Sequence, residues 1–188
     1  MRAWVRPLKT EPTRVNKNWV IGIDPGLYGA IAAYDLRTSE LVYCVDMPIH
    51  EPQELKRGEL KSRKVELNAH GIAQALKFLA DHAVGALVED VAAAPNQGVV
   101  SMFNFGYGQG VLYGALITLD IPTLLPKPST WKSNMGLTRD KEQARRMAIG
   151  TFVGWEDHFS LKKHHGRAEA ALLAKYGERI WKSSVTRQ

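Results

Sequence analysis

The sequence predicts an α/β protein built around a mixed sheet, and three observations support this fold class. Short, uncharged runs rich in Val and Ile alternate with polar turns near the amino terminus, which is typical of an antiparallel meander. Further along, strand-like runs alternate with segments of helical spacing, the pattern that gives parallel strands covered by helices. A chain of 188 residues is long enough to form one domain with a complete core.

Local patterns justify the individual elements. Residues 20–23 are apolar, uncharged and mostly β-branched, so they predict a buried strand, and Pro25-Gly26 supplies the turn that follows it. Apolar residues between positions 67 and 79 recur at helical spacing. The predicted strands are 19–24, 29–36, 40–47, 86–91 and 121–125, the predicted helices are 67–84, 99–119, 139–152 and 165–181, and 48–66 is predicted to be a loop.

We expect three regions along the chain: a basic arm over residues 1–17, a single domain over 18–182, and a tail over 183–188. The only cysteine, Cys44, cannot form an intrachain disulfide, which fits a reducing cytosol. No apolar run approaches the length of a membrane span, and the amino terminus lacks the apolar core of a signal peptide. The sequence therefore predicts a cytoplasmic protein without a membrane partner.

The charge balance favours a polyanionic partner. Lysine and arginine number 25 against 19 acidic residues, a net charge of +6, and nucleic acid is the commonest partner of such a surface. Each cation alone also fits an ordinary solvated surface. Besides a basic cluster at 56–64, the residues predicted to contact DNA phosphates are Lys132, Arg139, Lys141, Lys162, Lys163 and Arg167.

Three acidic residues occupy positions that favour a shared site. Asp24 ends the first predicted strand, and Glu89 lies near the end of the fourth, where strand alternation excludes its neighbour Asp90 from the same face. Glu169 lies among alanines and leucines of the last helix, where an unpaired charge is costly. His165 precedes Glu169 by four residues and so shares its helix face.

Carboxylates that converge from different elements repel one another unless cations lie between them. Oxygen ligands of this kind suit Mg²⁺ or Mn²⁺, and two such ions close together serve phosphodiester hydrolysis. The alternative is structural: Glu169 pairs with Arg167 or a lysine, and Glu89 faces solvent.

Three motifs together resemble those of the RuvC group of Holliday junction resolvases. They are Gly22-Ile-Asp-Pro-Gly26, Val88-Glu89 and Gly166-Arg-Ala-Glu-Ala170. The resemblance covers residues 18–176 and implies an RNase H-like (retroviral integrase) fold, with a five-stranded sheet of three antiparallel and then parallel strands flanked by helices. The last motif, with Trp131-Lys132 and Asp140-Lys141, is most similar to phage-type members.

The resemblance also implies an activity and its residues. Asp24, Glu89 and Glu169 would bind two Mg²⁺ or Mn²⁺ ions, with His165 as fourth member at a place where the group commonly has Asp. A homodimer in a bacterial or phage-infected cell would bind four-way DNA junctions and nick paired strands, leaving 5′-phosphate and 3′-hydroxyl ends. The alternatives are an RNase H-like nuclease with broader branched-DNA or RNA targets, and a catalytically inactive junction-binding module. Actin-like kinases also open with strand-Asp-Gly hairpins, but they need two such domains.

The predicted helix at 99–119 carries two further patterns. Phe103, Phe105 and Tyr107 lie where aromatic side chains either stack on DNA bases or fill a core or interface. Mid-helix glycines cost about 1 kcal/mol each relative to alanine, so their recurrence indicates close approach of another backbone. That backbone belongs either to a second copy in a symmetric dimer or to the chain's own sheet. The repeated glycines are Gly106, Gly110 and Gly114.

Overall fold

The computed structural model describes residues 17–50, 65–90 and 98–185, which form a mixed sheet with helices on both faces. The strands are β1 (Trp19–Asp24), β2 (Ala30–Asp35), β3 (Glu40–Asp46), β4 (Ile49–His50), β5 (Glu66–Leu67), β6 (Ala83–Val88) and β7 (Thr123–Leu124). The helices are α1 (Ala69–Ala80), α2 (Val99–Thr118), α3 (Pro128–Asn134), α4 (Lys141–Thr151), α5 (Glu156–Phe159), α6 (His165–Tyr176) and α7 (Glu178–Val185), with one 3₁₀ turn at Lys162–His164.

The main sheet has five strands in the order β3-β2-β1-β6-β7. The first three pair antiparallel, whereas β6 lies parallel to β1 and β7 lies parallel to β6. This confirms the predicted mixed α/β sheet, three antiparallel strands followed by parallel ones. β4 and β5 form a separate two-stranded pair at the two ends of the predicted loop.

Strand alternation divides the core into two layers. In β1, Val20 belongs to the layer under α6, while Ile21 and Ile23 belong to the layer under α1 and α2. All three side chains are fully buried. The central strand therefore contributes to both layers, as its continuous apolar sequence requires.

Close backbone contact fixes α6 against β1. A Cβ atom added at Gly22 would collide with the backbone of Ala170 and Ala174, so only glycine allows the helix to approach this closely. Residues 168–174 of α6 are buried throughout, which is the pattern of a helix enclosed by the core rather than one lying on the surface.

Four predicted elements differ from those observed. The helix predicted over 67–84 is the shorter α1, Ala69–Ala80, and the strand predicted over 86–91 is β6, which begins earlier and spans Ala83–Val88. The helix predicted over 165–181 is two helices, because Gly177 ends α6 with its N–H bonded to the carbonyl of Ala174. The strand predicted over 121–125 is only the two-residue β7.

One helix on the α6 side of the sheet lies in a stretch where no helix was predicted. α3 is seven residues long and begins at Pro128, which occupies the first turn, where its missing N–H costs nothing. The sequence did not predict this helix because prolines at 126 and 128 are also typical of a loop. The indole of Trp131 anchors α3 and is fully buried.

Some predictions fall on other parts of the chain. The basic arm over 1–17 lies almost wholly, and the cluster at 56–64 entirely, outside the described residues. The division into arm, domain and tail stays a prediction. No helix among the described residues combines the length and apolarity needed to cross a bilayer.

Candidate metal centre and nucleic-acid interface

Asp24 and Glu89 lie side by side because parallel strands end at the same edge of a sheet. Ile23 in β1 pairs with Val88 in β6, and the N–H of Glu89 donates to the carbonyl of Ile23 at 3.1 Å. Strand alternation turns Asp24 to the same face as Val20, the face covered by α6. Glu89 follows Leu87, which packs in that same layer. Both carboxylates therefore face α6.

Glu169 approaches the same point from α6. The amino-terminal turn of α6 packs directly on the turn after β1, where a Cβ atom at Gly166 would collide with the backbone of Tyr28 and Gly29. This contact places the first turns of α6 beside the end of β1. Glu169 is only 8% exposed, so its charge is held in the interior.

The protonation behaviour of Asp24 shows that the three carboxylates interact. Burial, followed by the negative charges of Glu169 and Glu89, raises the pKa of Asp24 to about 7. The N–H of Gly26, 3.4 Å from Asp24 Oδ1, opposes this shift as a weak donor. The site thus concentrates more negative charge than its surroundings stabilise.

Glu89 is held by a residue that sequence reasoning missed. The indole Nε1–H of Trp131 donates to Glu89 Oε1 at 3.0 Å, and Glu89 itself is 7% exposed. Burial raises the pKa of Glu89, while Lys132 and the Trp131 hydrogen bond act in the opposite direction. The signal for this contact was the buried Trp131 itself, since an enclosed indole needs an acceptor.

Lys132 lies between two of the carboxylates. Its Nζ is 2.9 Å from Glu169 Oε1 and 3.6 Å from Glu89 Oε1, and its side chain is only 15% exposed. Sequence reasoning assigned Lys132 to DNA phosphates. In the structure its ammonium group is the cation of the acidic cluster.

His165 lies near the cluster but contacts other groups. Its Nε2 is 3.1 Å from Lys141 Nζ and its Nδ1 is 3.4 Å from the carbonyl oxygen of Lys162. A lysine ammonium can only donate, so Nε2 accepts and Nδ1 carries the proton in this arrangement. The structure places His165 on the first turn of α6, where its two ring nitrogens face Lys141 and Lys162 rather than Asp24, Glu89 or Glu169.

His164 has a different role from His165. It is buried, and its Nδ1 accepts from the N–H of Leu161, which closes the 3₁₀ turn before α6. Burial, followed by the charge of Arg167, lowers the pKa of His164. His164 is therefore a structural residue, and His165 is the more accessible of the two.

The three carboxylates provide the oxygen ligands that Mg²⁺ and Mn²⁺ prefer, and the cluster carries excess negative charge. The donor set therefore fits a divalent cation. Among residues 17–50, 65–90 and 98–185, however, no three His, Cys, Asp or Glu side chains are arranged to hold a metal ion together. The side chains are instead arranged around the Lys132 ammonium.

The remaining predicted DNA contacts divide into two groups. Arg167 makes a two-pronged ion pair with Asp46 at the end of β3, so its guanidinium is already engaged. Lys162 and Lys163 are exposed beside α6, and Lys141 contacts His165. Arg139, with Lys127 and Lys132, lines an open hollow of about 630 Å³ next to the acidic cluster.

One face of α2 is left uncovered by the other residues that the structure describes. Phe103 is 74% and Tyr107 54% exposed, so neither fills the core of this chain, and packing at an interface or stacking on DNA bases stays a prediction. At Gly106, Gly110 and Gly114 an added Cβ atom would meet nothing within 4 Å. The alternative in which these glycines pack against the chain's own sheet is therefore wrong for the part of the molecule that the structure describes.

Comparison with known proteins gives structural relatives only. No family model matches the sequence, and no curated protein sequence matches it. A structure of Thermus thermophilus RuvC in complex with a Holliday junction substrate matches with a TM-score of 0.55 and 16% identity, covering 88% of this chain and 97% of that one. A second Thermus thermophilus RuvC structure matches at 16% identity with a TM-score of 0.49, covering 87% and 97%. The chain therefore has the RNase H-like α/β fold that is seen in RuvC.

Proposed function

We propose that the protein is a metal-dependent endonuclease that cuts branched DNA, four-way junctions above all, as a homodimer in the cytoplasm. The observation that supports this most is the convergence of Asp24, Glu89 and Glu169 from β1, the end of β6 and α6. This arrangement occurs in the same fold as a protein whose structure was determined with a Holliday junction substrate. The closer assignment to phage-type resolvases stays a prediction.

Asp24, Glu89 and Glu169 would hold the divalent ions, Mg²⁺ or Mn²⁺. When bound, two such ions help form the attacking hydroxide and stabilise the leaving oxygen of the phosphodiester. The protein's own residues fix the geometry: the sheet edge holds Asp24 beside Glu89, and the Trp131 indole orients the Glu89 carboxylate. His165 is proposed to position the attacking water or to transfer a proton, as its exposed Nε2 lies on the turn before Glu169.

The DNA backbone is proposed to follow the hollow beside the cluster. Lys127 and Arg139 line it together with Lys132, and Lys132 also contacts Glu89 of the acidic cluster. Lys141, Lys162 and Lys163 extend the positive surface past the first turn of α6, while Arg167 would have to leave Asp46 to reach a phosphate. Such contacts position the substrate without reading its sequence.

The exposed face of α2 is proposed to be the dimer interface. Gly106, Gly110 and Gly114 leave room for the backbone of a second helix, and Ile117 continues the apolar face at 72% exposure. A symmetric pair would present two active sites to a junction of near two-fold symmetry. Phe103 and Tyr107, nearer the amino end of α2, are proposed to stack on unpaired bases at the crossover.

The test is cleavage of a synthetic four-way junction, with duplex, flap and RNA–DNA hybrid substrates in parallel, each with Mg²⁺ and with Mn²⁺. We expect paired nicks in the junction that require metal and yield religatable ends. Cleavage of hybrids without cleavage of junctions would replace the resolvase proposal by a broader RNase H-like nuclease. Tight junction binding without cleavage under either metal would favour the inactive junction-binding module.

A further inference from the structure

A lysine ammonium group lies between two carboxylates of the acidic cluster. Lys132 Nζ lies 2.9 Å from Glu169 and 3.6 Å from Glu89, on two different elements of the fold. Lys132 and both carboxylates are almost enclosed, with side-chain exposures of 15% and 10%. An ion pair this well buried is held strongly, because removing either partner leaves an uncompensated charge in the interior.

The position of this lysine is imposed by the packing of α3. Trp131, the preceding residue, is fully buried and donates its indole N–H to Glu89. The seven-residue helix is thereby fixed against the sheet edge, and the next side chain is directed into the cluster. Lys132 is therefore not a surface lysine that reaches inward by chance.

An ammonium group and a divalent cation compete when they bind the same carboxylate oxygens. Glu169 Oε1 and Glu89 Oε1 are the atoms nearest to Lys132 Nζ, and both belong to the residues assigned to the metal. The described side chains do not form a three-ligand metal site as they stand, which agrees with an arrangement around an ammonium. Lys132 also lines the open hollow described above, which we call the basic hollow because Lys127 and Arg139 line it too.

We propose that Lys132 is an internal counter-ion that holds the acidic cluster together without metal and competes with the divalent ion for Glu89 and Glu169. Metal binding then displaces the ammonium toward the basic hollow, where a DNA phosphate is its natural partner. Lys132 is thus a positioning residue that links occupancy of the metal site to binding of the DNA backbone. The inference rests on the proposed metal site at Asp24, Glu89 and Glu169.

The first experiment measures Mn²⁺ affinity calorimetrically, without DNA, for the wild type and for Lys132→Met. The methionine keeps the length and apolar stem of lysine but removes its charge. We expect Lys132→Met to bind Mn²⁺ at least about tenfold more tightly, because no ammonium has to be displaced. In EDTA the same variant should melt about 5–10 °C below the wild type, because the carboxylates lose the ammonium group that lies between them.

Two variants control this comparison. Lys127→Met removes an exposed lysine that lines the same hollow, and should leave both Mn²⁺ affinity and melting temperature unchanged. Asp24→Asn should weaken Mn²⁺ binding sharply, which identifies the acidic cluster as the site titrated. Equal affinity in wild type and Lys132→Met overturns the competition while the proposed metal site stands. Absence of Mn²⁺ binding in both overturns the competition and the metal site together.

A second measurement uses the wild type and so does not depend on how any variant folds. Lysine side chains are acetylated in EDTA and in saturating Mg²⁺, and the rate at each lysine is followed by peptide mass spectrometry. We expect Lys132 to react several-fold faster with Mg²⁺ present, while Lys127 reacts at the same rate in both. An equal or slower rate at Lys132 with Mg²⁺ would show that the ammonium stays with its carboxylates, and would refute the proposal.

Discussion

Individual carboxylates in this protein are held where they cost stability. Asp24 faces the enclosed side of β1 with Glu169 and Glu89 nearby, and these surroundings raise its pKa to about 7. Glu89 is likewise desolvated, and its pKa is also raised. Strongly shifted pKa values cluster at functional sites. The raised pKa values of these carboxyl groups therefore support their assignment to a catalytic site.

The sign of the Asp24 effect gives a prediction for Asp24→Asn. A raised folded-state pKa means that the metal-free protein loses stability as pH rises from about 4 to about 7, while the unfolded chain has already released its proton. Asparagine removes this penalty. We expect Asp24→Asn to stabilise the protein in EDTA, by on the order of 2 kcal/mol more at pH 8 than at pH 5.

Urea denaturation at the two pH values measures this difference. Asp157→Asn, at an exposed carboxylate that is not part of the cluster, is the matched control and should show little change. Asp24→Asn should at the same time abolish junction cleavage. A stabilisation that is the same at both pH values would mean that Asp24 is ionised in the folded protein throughout.

His165 supplies a second prediction at the scale of the residue. His165→Ala should lower junction cleavage by about 100-fold, the range expected for loss of a positioned acid or base. His165→Asp should retain activity, because a carboxylate can replace imidazole in the site. His165→Ala with wild-type cleavage would remove this residue from the site, and His164→Ala, which breaks the turn before α6, serves as a comparison for folding.

At the scale of the element, two helices matter most for the proposed function. α3 has seven residues, yet its Trp131-Lys132 pair contacts Glu89 and, through Lys132, Glu169. α2 is long and apolar, but one side of it packs on nothing among the described residues. The first helix contributes the cation of the acidic cluster, and the second carries the surface that is proposed to bind another copy of the chain.

The α2 surface leads to a prediction for Gly110→Leu. A Cβ atom added at this position meets no described atom within 4 Å, so we expect the monomer to fold, and the loss of a mid-helix glycine should not reduce its stability. In a close helix pair the leucine would hold the two backbones apart. We expect the variant to be monomeric by light scattering at concentrations where the wild type is a dimer.

Ser101→Leu is the control, since Ser101 is exposed on α2 outside the glycine stripe. It should leave the oligomeric state unchanged. A Gly110→Leu protein that remains dimeric, or a wild type that is monomeric at all concentrations, would contradict the interface on α2. Junction cleavage by a monomeric variant should become uncoupled single nicks rather than paired ones.

At the scale of the whole molecule, the proposed catalytic site and the proposed dimer interface lie on opposite faces of the sheet. The face under α6 carries Asp24 and Glu89 at its edge, and the face under α1 and α2 forms the second core layer. The basic hollow opens beside the acidic edge, so positive and negative charge lie next to each other. A DNA backbone bound in the basic hollow would pass beside the acidic cluster. The proposed cleavage of a phosphodiester bond requires this proximity.

Much of this arrangement was predictable from the sequence. β1 and β6 are short apolar runs, each followed or ended by an acid, and two-residue alternation predicts that only one of Glu89 and Asp90 can share a site with Asp24. Glu169 was conspicuous because it lies in an apolar helix. These features are local, since they depend on periodicity and on the cost of burying a charge.

The tertiary structure alone decided what surrounds the carboxylates. Lys132 has the sequence context of a surface lysine, and only the docking of α3 through Trp131 directs it between Glu89 and Glu169. Packing between elements also decides that Arg167 forms an ion pair with Asp46 and that the glycines of α2 face outward. Contacts between distant segments depend on how elements pack, which local periodicity does not contain. The sequence by itself determined the sheet and its acidic edge, and packing decided which cation lies there.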